Sequence, residues 1–301
     1  MDNVKIIEIH GGLGTQLYQY TFVKLMEMMT KEKYLIDDSV FWGPRTPHDG
    51  YELEKVFGIK LNLLSHCFSQ DVWEEMLRLR DQGISIPQQL LDNGISLTLL
   101  SEGNNVPAFA GNHISLPAGC DAKKVLLTCV NAKGNIYYAG FGLRQAYVDY
   151  IRANLQKELV FPSFDVVPMF AAYNKEYAKQ ILETDSVAVH IKRKNLMPDC
   201  GTLSFDKIKR SVEKMKEKYP HCTFFVFSDD IKWSKKHAVD FGLYNQNVVY
   251  VTGNTYLGNN YMDMQLMSMC KKMILSQSAF SHWAFYFNIS RALDVIVADT
   301  M

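Results

Sequence analysis

The sequence has no CxxC pair among its six cysteines, which stand at 67, 120, 129, 200, 222 and 270. That spacing excludes a zinc framework. Nothing in it marks a disulfide scaffold either, so a reducing cytoplasm is the expected setting. No run of about 18 apolar residues exists, and no membrane-spanning helix is expected; peripheral contact with the inner membrane face stays open. No cleavable leader pattern is present, because Met1 to Ile9 reads as a strand running straight into a glycine turn. Net charge is absent too: Lys plus Arg total 32 and Asp plus Glu total 32. General polyanion binders are basic, which argues against nucleic acid as the main partner. There is no internal repeat and no low-complexity tract.

What is present is apolar bulk. Apolar residues make up 48% of 301 positions, enough for well-packed cores in one large domain or two of about 150 residues. Phe161-Pro162-Ser163 reads as a linker and divides 1–160 from 161–301. After it the pattern is regular. Helices over Met169 to Glu183, Ser204 to Tyr219, Ile231 to Phe241 and Tyr261 to Cys270 alternate with strands over Ser186 to Ile191, Thr223 to Phe227, Val248 to Val251 and Lys272 to Leu275. A helix after Ser278 and a strand over Asp294 to Val297 follow. Such alternation predicts a parallel sheet covered on both faces, with ligands beyond the carboxyl ends of its strands. His190, Asp229 and Ser276 to Ser278 fall at those ends.

The first half is less regular. Strands are expected at Val4 to Ile9, Tyr34 to Ile36 and Asn135 to Ala139, and helices at Thr15 to Met29, Ser69 to Arg80 and Gln145 to Leu159. Residues 41–65 read mainly as loop, and 83–120 as rich in turn formers.

Four segments carry chemistry. In Val187 to Asn195, an apolar strand ends in His190 and is followed at once by Lys192, Arg193 and Lys194. Adjacent cations at a strand end suit a phosphate, although a solvated basic turn has the same composition. His190 and Lys192 share a face by alternation, and Arg193 points elsewhere unless the chain turns. In His10 to Gln16, glycines at 11, 12 and 14 form a turn from strand to helix that brings backbone N–H groups near an anion. It lacks Walker and dinucleotide spacing, and a purely structural turn fits equally. In Phe227-Ser228-Asp229-Asp230, Asp230 fits a helix N-cap, while Asp229 is less easily explained that way. Finally Asp263 lies in a methionine-rich helix whose spacing speaks of packing, and Ser276, Ser278 and Ser281 surround a strand-to-helix junction able to bind phosphate oxygens or simply to cap a helix.

In this order the segments resemble the family of the α-1,2-fucosyltransferases, glycosyltransferase family 11. The matches are Gly11 to Gln16 with its GGLGNQ-like turn, His190 to Asn195 with its H-x-R-R-G-D-like stretch, Phe227 to Asp230 with Trp233 beyond, and Asp263 with Ser278 to Trp283. The resemblance implies an α/β, GT-B-like fold: two Rossmann-like domains facing a central cleft, with 1–160 on the acceptor side and 161–301 binding the donor. It implies GDP-fucose as donor substrate, a galactose-terminated oligosaccharide as acceptor, an inverting transfer to the 2-hydroxyl, and neither cofactor nor metal. Carried onto this chain, His190 and Asp263 contact the guanine or ribose side. Lys192, Arg193 and Ser278, Ala279, Phe280 and Ser281 face the diphosphate, and Asp229 is a further donor-binding residue. Gly12, Gly14 and Thr15 close over it from the first domain. Lys192 and Arg193 carry catalysis by stabilising the leaving diphosphate. No base is identified, although Asp37 and Asp38 are available acids.

Three positions depart from the family pattern. Lys192 stands for its first arginine, Thr15 for its asparagine and Asn195 for its later acid. Lys is a point charge where Arg is a planar fork. The departures keep two other readings in play: a transferase for another nucleotide sugar, and a nucleotide-sugar binder without turnover.

Overall fold

In the computed structural model the described residues are 3–43, 46, 48–103, 106–117, 119–193, 204–255, 258–288 and 294–297. They group into two compact units, Met1–Val160 and Phe161–Met301.

Unit 1 runs β1 (Lys5–Glu8), α1 (Leu13–Thr30), β2 (Leu35–Asp37), α2 (Leu53–Phe57), β3 (Asn62–Leu63), α3 (Gln70–Asp81), α4 (Ile86–Asp92), β4 (Thr98–Glu102), β5 (Asn112–Leu116), α5 (Ala122–Asn131), β6 (Ile136–Ala139) and α6 (Gln145–Glu158). Its sheet has the order β3-β2-β1-β6-β4-β5, with parallel pairing throughout. The order in which strands are added therefore switches sides between β1 and β6. The central strands are apolar on both faces, as a sheet covered by helices requires: Ile6, Ile7, Tyr137 and Tyr138 are all buried. Phe22 of α1 stacks on Phe141 just after β6, at 5.3 Å between centroids. The chain leaves β6 through Gly140 at φ +76°, where a Cβ would collide with the carbonyl oxygen of Glu102.

Unit 2 runs α7 (Pro168–Glu183), β7 (Ser186–Ile191), α8 (Phe205–Lys218), β8 (Thr223–Ser228), α9 (Ile231–Lys236), β9 (Val248–Tyr250), α10 (Tyr261–Met269), β10 (Lys272–Leu275), α11 (Ala279–Phe287) and β11 (Asp294–Val297). Its sheet order is β11-β10-β7-β8-β9, again all parallel. Every residue of β7 is buried. Val187, Val189 and Ile191 join Phe224 and Val226 of β8 in a core closed by Ile208, Val212 and Met215 of α8. Ser204 caps α8, its hydroxyl accepting from the N–H of Lys207 at 3.3 Å.

Three sequence expectations need correction. The turn-rich stretch 83–120 holds α4, β4 and β5. β5 is an edge strand exposed nearly throughout, so no buried alternation marks it. The helix α5 was not expected, yet Asp121 caps it through the N–H of Lys124 at 2.9 Å. The helix expected over Ile231 to Phe241 stops at Lys236, and the chain continues as turns to Gly242 at φ +71°.

Candidate functional site

In unit 2, β7→β8→β9 builds outward on one side of β7, and β10→β11 builds on the other. The order thus reverses between β7 and β10, where open α/β sheets form their ligand crevice. His190 is the penultimate residue of β7 and Ser276 follows β10, and His190 Nδ1 shares a 2.6 Å hydrogen bond with Ser276 Oγ. One side-chain contact therefore bridges the two strands that flank the crevice. Phe280 of α11 stacks on the imidazole at 5.7 Å. Burial, with Lys192 and His282 adding to it, pushes the His190 pKa down to about 3. The ring is neutral at physiological pH, and its Nε2 carries no hydrogen bond among the described residues.

Lys192 leaves the end of β7 half-buried, with no ion pair among the described residues. Arg193 behaves differently. Its backbone N–H donates to Asp229 Oδ1 at 2.8 Å, its guanidinium pairs with Asp230, and it lies over the Trp233 ring at 4.7 Å. The two cations expected to face one anion are thus placed differently: β8's acidic end draws Arg193 aside, and Lys192 has no such partner among the described residues. Asp230 also caps α9 through the N–H of Trp233 at 3.0 Å. Lys194 and Asn195 lie outside the described residues.

The serine-rich junction is a built turn. Ser278 caps α11, accepting from the N–H of Phe280 at 3.3 Å. Ser281 is wholly buried and donates to the carbonyls of Ser276 and Ser278 at 2.8 and 3.1 Å. Its hydroxyl shapes the turn instead of facing a ligand. What the junction offers an anion is the α11 N-terminus around Ala279.

Asp263 sits in the first turn of α10, nearly buried. Asn254 donates to its Oδ1 at 2.7 Å, and Asn254 and Asn174 exchange reciprocal 2.8 Å amide bonds. Burial raises the carboxyl to about 7, with the Asn254 hydrogen bond opposing. Oδ2 has no hydrogen bond among the described residues, so one acceptor remains for a ligand.

In unit 1 the glycine turn is already engaged. Gly12 occupies the N-cap of α1 with no side-chain cap of its own. The buried Glu52 fills that role from a distance, its Oε2 accepting the N–H of Leu13 at 3.0 Å. Gln16 fastens the arrangement, donating to the carbonyls of Gly11 and Gly50 and accepting from the N–H of Glu52 at 2.9 Å. Gly14 is buried inside α1, and Thr15 packs beside Gly11. The expected anion-binding end of α1 is therefore taken by an internal carboxyl group. Nothing local in the sequence announces this, since Glu52 is 39 positions from Leu13.

Glu52 makes a testable contribution to stability. Burial, with Asp49 adding and the Leu13 N–H opposing, raises its pKa from 4.5 to about 8. The folded state then holds a proton that the unfolded chain has released, so this stability is complete below 4.5 and is lost as pH climbs through about 8. Thermal melts are expected to weaken across that window, and Glu52→Gln is expected to flatten the decline. An unchanged slope in the variant would contradict the assignment.

Asp37 and Asp38, the acids singled out from sequence, are both committed. Asp37 accepts from the Tyr137 hydroxyl and from the N–H of Ser39. Asp38 accepts from Trp42 Nε1 at 2.8 Å and from the backbone and hydroxyl of Ser65. Glu8, unremarked in sequence, ends β1 with its carboxyl raised to about 7 by burial and by Asp37.

Among the described residues no His, Cys, Asp and Glu group is arranged to hold a metal, and no helix is long and apolar enough to cross a membrane. A family model described as Glycosyl transferase family 11 matches residues 169–300. An Escherichia coli alpha-1,2-colitosyltransferase is 29% identical over 174 residues, which are 56% of this chain and 56% of that protein. The chain thus matches only about half the length of that relative. An Escherichia coli O-antigen biosynthesis glycosyltransferase, WbnK, is 24% identical over 93% of this chain and 89% of its own length. Among solved structures, fucosyltransferase NodZ from Bradyrhizobium aligns at TM-score 0.55 with 13% identity, covering 94% of this chain and 93% of that one. NodZ soaked with GDP-fucose aligns at 0.54. At such identity the likeness shows the fold, which is α/β and GT-B.

Proposed function

We propose, for a chain whose residues 169–300 match the model of glycosyl transferase family 11, that unit 2 holds a GDP-sugar whose glycosyl group is passed, with inversion, to a glycan hydroxyl. The finer reading is L-fucose from GDP-fucose to the 2-hydroxyl of a galactoside. Unit 1 then serves the acceptor and unit 2 the donor. The observation that carries this reading is the His190–Ser276 bridge across the β7–β10 crevice, with Lys192 beside it. The fold shared with NodZ, which has been soaked with GDP-fucose, supports the donor class.

In this mechanism the bond between the sugar's anomeric carbon and the β-phosphate oxygen breaks, and its electron pair leaves with GDP. The acceptor oxygen forms the new bond from the opposite face and gives up its proton. Negative charge grows on the β-phosphate as the bond parts, so a fixed cation stabilises the transition state more than the ground state. Lys192 and the α11 N-terminus supply that field. Neutral His190 donates or accepts through Nε2 without adding charge, and Asp263 Oδ2 accepts from the guanine or ribose.

A second reading is favoured by the colitosyltransferase relative: a donor carrying a different sugar on the same leaving group. Product analysis after incubation with GDP-fucose, a GDP-linked colitosyl donor and UDP-sugars, each with a galactoside panel, separates the readings. Deoxyhexose added from GDP-fucose alone is the expected result. Turnover of UDP-sugars only would overturn the donor class, and a GDP-fucose thermal shift without any product would identify a non-catalytic binder.

A further inference from the structure

A concavity of about 630 Å³ opens on unit 1 between the segment after β2 and one face of α3. Trp42, Phe68 and Trp73 form its apolar wall, and His66, Gln70 and Glu74 its polar rim. Gln70, Trp73 and Glu74 lie at helical spacings of three and four, so α3 presents them together. The aromatic wall is ordered by contact: Phe68 stacks on Trp73 at 6.1 Å and 14°, and Trp42 meets Trp73 edge-on at 6.3 Å and 79°.

Trp42 is the informative member. It is 44% exposed, yet it is fixed at both ends. The buried Asp38 takes its indole N–H, and Arg80 Nη2 donates to its carbonyl oxygen at 3.2 Å. An exposed indole held this firmly has already lost the rotamer freedom that a ligand would otherwise have to remove. Trp73 is buried and backs the wall, packed between Phe68 and Trp42.

The rim selects the ligand class. Among the described residues no Lys or Arg lines the concavity, which argues against a phosphate or an anionic headgroup. Gln70 donates to Glu74 at 2.8 Å, leaving carboxylate and amide oxygens to accept from hydroxyls. Aromatic faces are negative and attract polarised C–H groups. A ring with C–H groups on one face and hydroxyls around its edge satisfies both demands. The volume falls within the range of small-molecule sites.

We propose that this concavity is a saccharide subsite, in which a neutral pyranose of the acceptor glycan lies on Trp42 and bonds its hydroxyls to Gln70 and Glu74. The substrate class rests on the glycosyltransferase reading, while the site itself rests on unit 1 alone. Asp38 thereby acts as a positioning residue for Trp42 and not as a proton acceptor.

Saturation-transfer NMR of the full chain with lactose and with N-acetyllactosamine tests this directly, without needing turnover. The wild-type chain is expected to saturate the axial C–H protons of at least one of the two. Trp42→Ala is expected to weaken binding about tenfold, and Trp42→Phe to restore part of it by returning an aromatic face. Gln70→Ala, at an exposed position, provides a second variant whose folding is not at issue, and it too is expected to weaken binding. No sugar signal in the wild type, or equal binding in both alanine variants, would overturn the subsite. Binding of an alkyl-chain glycoside with no binding of the free sugars would overturn it as well, in favour of an apolar partner. A GDP thermal shift on the same samples keeps the two conclusions apart. GDP binding without sugar binding removes only the subsite, and sugar binding without a GDP shift removes only the donor reading.

Discussion

Lys192→Ala is expected to lower kcat by about two to three orders of magnitude, the usual cost of removing one fixed donor from a developing oxyanion. The expectation follows from how the two neighbouring cations are placed. Arg193 is paired with Asp230 and lies over Trp233, so its charge is already partly answered. Lys192 has no carboxylate partner among the described residues and stands beside neutral His190 at the crevice between β7 and β10. Its cation is therefore the one available to a leaving diphosphate. Because the interaction strengthens as the bond breaks, kcat should fall more than KM rises. Lys192→Arg should keep or raise turnover, since a planar fork grips two phosphate oxygens where an ammonium meets one. Arg193→Ala should cost less than Lys192→Ala. Steady-state GDP release with donor and acceptor, measured for all three variants, decides the matter. Undiminished kcat in Lys192→Ala would remove the cation from the mechanism.

Asp263→Asn is expected to weaken GDP binding on the order of tenfold to a hundredfold, the worth of a hydrogen bond to a charged acceptor. It should also abolish the pH dependence expected of the unaltered chain. Burial holds the Asp263 carboxyl at about 7, so the acceptor form is only partly populated at neutrality. Donor affinity should accordingly rise as pH climbs through about 7 and level off above it. Asparagine keeps an oxygen for Asn254 to donate to, so the Asn174–Asn254 pair need not rearrange. Isothermal titration with GDP on either side of neutrality gives both quantities. Equal affinities at the two pH values in the unaltered chain would show that this carboxylate does not meet the nucleotide.

Much of unit 2 was legible because its signals are local and redundant. Each strand there is a short apolar run, Ser204 and Ser278 stand where helices begin, and His190 and Ser276 follow from counting to the carboxyl ends of strands. Unit 1 was harder to read between 83 and 120. β5 lies at the sheet edge with Asn112, His113, Ile114 and Ser115 all exposed, so the burial that writes alternation into a sequence is missing. α9 is shorter than its sequence suggests because apolar spacing continues through Phe241, a residue that packs against Trp233 and Phe205 from a turn. The remaining features are tertiary. Arg193's attachment to Asp230, Glu52's hold on Leu13 and Asp38's grip on Trp42 depend on which strand ends the fold brings together. No spacing rule along the chain encodes them.

The Gln16 side chain ties together two stretches far apart in sequence. Its amide donates to carbonyls at 11 and 50 while its oxygen takes the N–H at 52. Residues 11–16 and 50–52 consequently travel as a single rigid piece, and the segment between α1 and α2 is tethered at its far end. Whatever reshapes that segment, whether substrate, neighbour or substitution, is transmitted to the first turn of α1 through the Gln16 amide and the Glu52 carboxyl.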